Sequence, residues 1–150
     1  MNSEIERLDQ QRMRYLEWYL IGSIVFVILS VTRYFLRLGD LNAAPLGQAV
    51  LYGLFLSLLV LAVSALASTR LGRKINQDPV LKEALNNELV KALDVQSWKA
   101  AFFGAIGTTI FFALSWFFYP VCDPVMVALT AIVVGLGSYQ GTFYFKYRSL

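Results

Sequence analysis

Four long apolar stretches constrain this sequence more than any other feature. They cover residues 16–36, 46–67, 100–119 and 125–144. Each can cross the roughly 30 Å of hydrocarbon in a bilayer, because a helix rises about 1.5 Å per residue. Transmembrane strands run over only about 9–11 residues with alternating polarity, so strands are excluded. The sequence therefore predicts an all-α polytopic membrane protein with four transmembrane helices in an up-down bundle.

Composition supports a membrane protein of one domain. Hydrophobic residues make up 57% of the chain and charged residues only 15%, which is far from the balance of an ordinary soluble domain. The chain has 150 residues, and four spans of about 20 residues each leave little of it for a second domain. We therefore expect a single transmembrane domain over residues 1–150.

The basic residues predict how the chain lies in the membrane. All lysines and arginines except Arg33 and Arg37 fall in the amino-terminal segment, between the second and third spans, or in the carboxy-terminal tail. Loops rich in Lys and Arg stay in the cytoplasm. Both termini and the middle loop are therefore predicted to be cytoplasmic. Arg33 is expected to extend outward or to pair with Asp40 or Asp123.

The middle loop carries its own helical pattern. Residues 79–99 contain no glycine and no proline beyond Pro79, which predicts an amphipathic helix that can run on to Tyr119. The second span can extend inward, so a cytoplasmic helical hairpin is expected to lengthen the second and third helices. The apolar positions that recur at three- and four-residue spacing are Leu81, Leu85, Leu89, Ala92 and Val95.

Glu88 lies on or beside the apolar face of that amphipathic helix. A carboxylate on a helix is usually solvated or paired, so a salt bridge with Arg73 or Lys74 is the first expectation. Contact with a partner or ligand is the alternative. Glu88, Arg73 and Lys74 are therefore the candidate contact residues of this loop.

Prolines mark the expected helix starts. Pro45, Pro79 and Pro124 each follow a loop and suit the first helical position, where a missing N–H costs nothing. Asp78 and Asp123 precede two of them, and each carboxylate can accept hydrogen bonds from first-turn amides.

Small residues form stripes within three of the predicted spans. In lipid, such stripes let helix backbones approach closely and gain dispersion contacts. They predict tight helix packing, either within the chain or in a homo-oligomer or complex with another membrane protein. The residues are Gly53, Ser57 and Ser64 in the second span, Gly104 and Thr108 in the third, and Gly135, Gly137, Ser138 and Gly141 in the fourth.

The residues of common active sites are scarce. The chain has no histidine and one cysteine, Cys122, so the usual general base, an internal disulfide and a cysteine metal cluster are excluded. We expect no enzyme activity, no cofactor and no metal. Glu17, the one carboxylate near the first span that could serve proton-coupled transport, is expected at the interface. The basic residues follow topology, so nucleic acid is not an expected partner.

Three short runs follow the second span. They are DPVLKEAL at 78–85, NEL at 87–89 and SWKAAF at 97–102. This region, about a sixth of the chain, resembles the loop-to-third-helix segment of small bacterial membrane proteins of uncharacterised function. The resemblance implies a bacterial inner membrane and the same four-helix layout. It implies no activity and no site residue.

The sequence favours a non-enzymatic membrane protein that acts as an assembly partner, accessory subunit or oligomeric scaffold. A small transporter or channel subunit, with a pore formed on oligomerisation, is one alternative. A protein that binds lipid or a small hydrophobic molecule between its spans is another. Membrane lipid is a partner in every case.

Overall fold

The computed structural model describes residues 2–39, 45–85, 88–118 and 123–149. They form five helices and no strand: α1 (Asn2–Leu38), α2 (Pro45–Gln77), α3 (Pro79–Leu85), α4 (Glu88–Phe118) and α5 (Pro124–Arg148). All but the short α3 are long and apolar enough to cross a membrane, and they cover the four predicted spans except for residue 119. The predicted continuous helix from Pro79 to Tyr119 corresponds to α3 and α4. Its residues Asn86, Asn87 and Tyr119 lie outside the described ranges, as does Cys122.

The predicted helix starts are confirmed. Pro45, Pro79 and Pro124 are the first residues of α2, α3 and α5. Asp78 Oδ1 accepts hydrogen bonds from the backbone N–H groups of Val80 at 2.9 Å and Leu81 at 3.4 Å, and Asp123 Oδ1 accepts one from the Val125 N–H at 3.0 Å. These signals were readable because a cap acts within one turn of chain.

The long helices pack in the order α2, α1, α5, α4. Helix α1 contacts α2 and α5, and α4 packs on the other side of α5, whereas α2 and α4 share no comparable contact. Neighbours run in opposite directions: Gly22 faces Leu61, and Gly53 faces Leu29 further along α1. The described helices thus form an open row with α1 and α5 in the middle.

Among the four long helices, the most apolar stretch is most buried in α1 and least buried in the edge helix α4. Phe26 of α1 is fully buried and joins a core with Leu54, Leu61 and Val133. In the edge helix α4, only 11% of the most apolar stretch is buried, and Phe103 is 70% exposed. Large apolar patches of this kind are rare on soluble monomers. The outward faces are therefore suited to contact with hydrocarbon.

A second core lies at one end of the row. We call this end, residues 2–15, 68–85, 88–99 and 145–149, the basic end, because it holds every lysine and arginine except Arg33 and Arg37. Helix α3 packs there against α1 and α2. The buried side chains of this second core are Leu8, Leu71, Ile75, Leu81 and Leu85. The basic end is thus a packed unit rather than a loose loop.

Asp123 caps α5 at the end of the row opposite the basic end. Replacing it by alanine should lower the free energy of unfolding by about 1 kcal/mol, the usual cost of losing an N-cap. Although slight burial acts to raise the pKa of Asp123, the backbone N–H groups of Val125 and Met126 and the Arg37 guanidinium lower it overall. A lowered folded-state pKa means that the stabilisation is present at neutral pH and lost on acidification. Thermal unfolding of both proteins in detergent from pH 7 down to pH 2 tests this, because the difference should shrink only as the pH falls through the lowered pKa. A difference that is unchanged at pH 2 would contradict it.

Candidate functional site

All five helices meet around one cleft at the basic end. Its volume is about 590 Å³, within the range of small-molecule sites. We call it the basic-end cleft. The apolar part of its wall comes from Leu16 of α1, Leu71 and Ile75 of α2, Val90 of α4 and Phe143 of α5.

Arg12 is held in place at this cleft by three groups. Its guanidinium carbon lies 4.8 Å from the centre of the Phe143 ring and 5.4 Å from that of Tyr147. Its Nη1 donates a hydrogen bond of 3.2 Å to the carbonyl oxygen of Leu85, the last residue of α3. Cation–π contacts and a carbonyl acceptor together fix a side chain that is otherwise flexible. Arg12 thereby ties α1 to α3 and α5.

The charged groups of the cleft are mostly basic. Arg12, Lys82 and Lys91 line it, with Asp94 as the acidic residue of the lining. Tyr139 of α5 donates its hydroxyl hydrogen to Asp94, so part of that carboxylate's acceptor capacity is used. The site is therefore electropositive, a property that favours an anionic ligand.

Gln140 adds a polar acceptor to the same wall. It lines the cleft, and its buried Oε1 has no hydrogen-bond partner within the described structure. A buried carbonyl oxygen without a donor costs free energy. A ligand hydroxyl or ammonium group would supply the missing donor.

Tyrosines of α5 also bind carboxylates of α1. The Tyr144 hydroxyl donates to Glu17 at 2.7 Å, and the Tyr147 hydroxyl donates to Asp9 at 2.7 Å. Glu17 is exposed, at the first turn of the predicted span. These bonds join the two central helices at the basic end.

Phenylalanine at position 147 tests one of these bonds. Burial, the Asp9 hydrogen bond and the Asp9 charge raise the pKa of Tyr147 to about 12, so its hydroxyl remains a donor at physiological pH. Tyr147→Phe should lower the free energy of unfolding by about 1 kcal/mol, because Asp9 loses that donor. Unfolding in detergent measures the change. Tyr52→Phe is the control, since the Tyr52 side chain is 71% exposed; equal losses would show that the bond to Asp9 contributes nothing.

The opposite end has a smaller polar site. Arg37 Nη2 lies 3.3 Å from Asp123 Oδ2, whereas Arg33 Nη1 lies 3.8 Å from the sulfur of Met126. Asp123 thus pairs with Arg37 rather than with Arg33, for which it was one of two expected partners; the other, Asp40, lies outside the described residues. A cavity of about 30 Å³ lies beside these groups, and Ser30 is one of its lining residues. The buried Ser30 hydroxyl has no hydrogen-bond partner in the described ranges. The cavity is the size of one or two water molecules.

The small residues of the stripes contact other helices of the same chain. A Cβ atom added at Gly104 would lie 2.6 Å from Ser138 Oγ, so these two predicted positions meet across α4 and α5. Added at Gly135, it would lie 3.2 Å from the Ala101 carbonyl oxygen. Gly137 faces Ser23 and Gly141 faces Leu20, both on α1, while Gly53 faces Leu29. An interface of these residues between chains stays a prediction.

Three hydroxyl-bearing members of the stripes, Ser57, Ser64 and Thr108, donate hydrogen bonds within their own helices. Ser57 donates to Leu54 at 2.8 Å and Ser64 to Val60 at 2.7 Å, in both cases to the carbonyl oxygen, and both serines are buried. Thr108 donates to the Gly104 carbonyl oxygen at 2.8 Å. Their hydrogen bonds are thus satisfied locally, and the side chains serve as small packing groups.

The candidate contact residues of the loop are spread over two helices. Glu88 is the first residue of α4 and is exposed, as are Arg73 and Lys74 of α2. Lys74 Nζ lies 3.7 Å from Glu4 Oε1, and no salt bridge among the described residues joins Glu88 to Arg73 or Lys74. The expected pairing is therefore replaced by one with α1. A partner contact at these residues stays a prediction.

Sequence reasoning missed Arg12, Asp94 and Tyr139 as site residues. One local signal was present: aromatic residues at 139, 143 and 147 share a face of α5, and their rings stack with interplanar angles of 20° and 12°. Their partners lie on α1 and α4, far away in sequence. Only the packing order identifies them.

No group of metal-binding side chains occurs within the ranges that the structure describes. Comparisons with protein-family models, curated proteins and solved structures found no significant match. The site is therefore interpreted from its own geometry.

Proposed function

We propose that this protein is a multi-pass protein of a bacterial inner membrane, with four spans and with both termini and the basic end in the cytoplasm. The charge distribution supports this orientation, because Arg33 and Arg37 are the only basic residues at the opposite end. The exposed apolar faces of α2 and α4 support insertion, since lipid can cover them.

Its function, we propose, is non-enzymatic: it acts as an assembly partner or accessory subunit through the basic end, as a homo-oligomer or with another membrane protein. The observation that carries this proposal is the second core of α1, α2 and α3, which lies outside the predicted spans. Crossing a bilayer needs only about 20 residues per helix. A packed unit beyond the spans therefore indicates a role at the cytoplasmic surface.

Purification in lipid nanodiscs tests this role. Native mass spectrometry of the particles should show either more than one copy of the chain or a stoichiometric second protein. Glu88→Ala should reduce that association, and Glu83→Ala, a similarly exposed carboxylate on α3, serves as control. A monomer without a stoichiometric partner would contradict the proposal.

Lipid or small-hydrophobe binding is a second candidate function. The basic-end cleft favours it, because apolar and basic side chains share one wall. An amphiphile needs this combination, with an anionic group at the basic residues and a chain along the apolar ones.

A further inference from the structure

We propose that the basic-end cleft binds the headgroup of an anionic phospholipid, with its phosphate at Arg12, Lys82 and Lys91 and its acyl chains leaving between α2 and α4. This inference rests on the proposed membrane insertion. It names the ligand class for the cleft and the route by which the ligand enters.

The depth of the cleft matches the headgroup layer. Leu16 begins the first predicted span, and Ser68 directly follows the second, which ends at Ala67. Val95 lies five residues before the third span, about 7 Å along a helix. Phe143 lies in the last turn of the fourth. These four residues line the cleft, and each comes from a different long helix. Four separate span ends therefore place the cleft at the boundary between the hydrocarbon and the headgroups.

The charges of the cleft fit a phosphate. Lys82 and Lys91 are exposed, and neither forms a salt bridge with a carboxylate of the described residues. Arg12 has five N–H donors, and its hydrogen bond to Leu85 uses one nitrogen. Because Phe143 and Tyr147 already hold the guanidinium, little side-chain entropy is lost when it binds an anion. Asp94 is the opposing charge, and it accepts the Tyr139 hydroxyl.

The packing order supplies a lateral entrance. Residues of both α2 and α4 line the cleft, although these two helices do not pack closely on each other. Where α2 and α4 continue from the cleft into the predicted spans, a gap between them in a bilayer opens to lipid rather than to water. Acyl chains can therefore remain in the hydrocarbon while the headgroup enters the cleft.

Gln140 narrows the choice of headgroup. Its buried Oε1 lines the cleft without a hydrogen-bond donor in the described structure. A glycerol headgroup carries hydroxyl donors next to its phosphate, whereas choline has neither a hydroxyl nor an N–H. Phosphatidylglycerol therefore fits both the basic residues and the amide.

Lipid titration of the full-length protein in a neutral detergent tests the proposal. Dioleoylphosphatidylglycerol should raise the thermal unfolding temperature in a saturable way, and native mass spectrometry should detect one tightly bound copy. Dioleoylphosphatidylcholine and soluble glycerol phosphate should give no such shift. Equal stabilisation by the choline lipid, or by glycerol phosphate, would overturn the assignment to an anionic phospholipid.

Substitution of the two lysines locates the site. Lys82→Gln with Lys91→Gln should weaken phosphatidylglycerol binding about 30-fold, because each substitution removes the electrostatic attraction between a lysine and the anionic headgroup. Arg70→Gln with Lys99→Gln removes the same charge from exposed positions of the basic end that do not line the cleft, and should change binding less than about 3-fold. Equal losses in both pairs would show a diffuse surface charge effect instead.

Failure of this inference is distinguishable from failure of membrane insertion. If only the headgroup assignment is wrong, the chain still resists extraction from membranes by alkaline carbonate but shows no lipid preference. If insertion is wrong, carbonate releases the chain.

Discussion

Leucine in place of Gly135 should lower the free energy of unfolding by about 3 kcal/mol, near the upper end of overpacking costs. A Cβ at this position would lie 3.1 Å from the Ala105 Cβ and 3.2 Å from the Ala101 carbonyl oxygen. A backbone oxygen cannot turn aside as a flexible side chain can, so α4 and α5 must separate. Unfolding of the purified protein with increasing SDS in mixed micelles, followed by circular dichroism, measures the loss.

Gly107→Leu is the matched control, because Gly107 lies in α4 with no atom within 4 Å of its added Cβ. It exchanges the same residues in the same apolar region without touching a neighbouring helix. We expect its free energy of unfolding to stay within about 0.5 kcal/mol of that of the parent protein. Equal destabilisation by the two substitutions would contradict the close packing of α4 on α5.

Leu8→Ala should loosen the basic end while the long helices stay folded. Leu8 is 2% exposed and packs with Leu71, Ile75, Leu81 and Leu85. Outside the membrane, truncating a buried leucine costs both its transfer free energy and a cavity, together about 3 kcal/mol. Hydrogen exchange of the α3 amides should therefore accelerate about 100-fold if they open locally.

Leu89→Ala provides the comparison within the same end of the molecule, since Leu89 is 49% exposed. Its effect on exchange in α3 should be less than about 5-fold. If Leu8→Ala leaves α3 exchange unchanged, or if it accelerates exchange equally in the middle of α1 and α5, the basic end is not a separately packed unit.

The helices themselves could be predicted from the sequence because their signals are local. Apolar length gave α1, α2, α4 and α5, and the Asp-Pro pairs gave the starts of α3 and α5 through hydrogen bonds that span only two or three residues. The small residues indicated close approach correctly at Gly104 and Ser138. Each of these predictions uses only the sequence of a single helix.

The packing order and the cleft could not be predicted in the same way. In lipid, the hydrophobic effect does not distinguish a buried apolar face from a lipid-facing one, so the pattern of α4 does not reveal that α4 is an edge helix. Arg12 lies far in sequence from Leu85 and Phe143, and Asp94 lies far from Tyr139. The choice of Arg37 over Arg33 as partner of Asp123 depends on the register of α1 against α5, which no local pattern encodes.

Reporter fusions at both chain ends test whether the chain crosses a membrane with both termini in the cytoplasm. A fluorescent protein that matures only in the cytoplasm and a phosphatase active only outside it, fused in turn to each terminus and after Gln77, distinguish the two sides. We expect cytoplasmic fluorescence and no phosphatase activity at all three positions, in protein that carbonate does not extract. Phosphatase activity at either terminus, or release of the chain by carbonate, would contradict it.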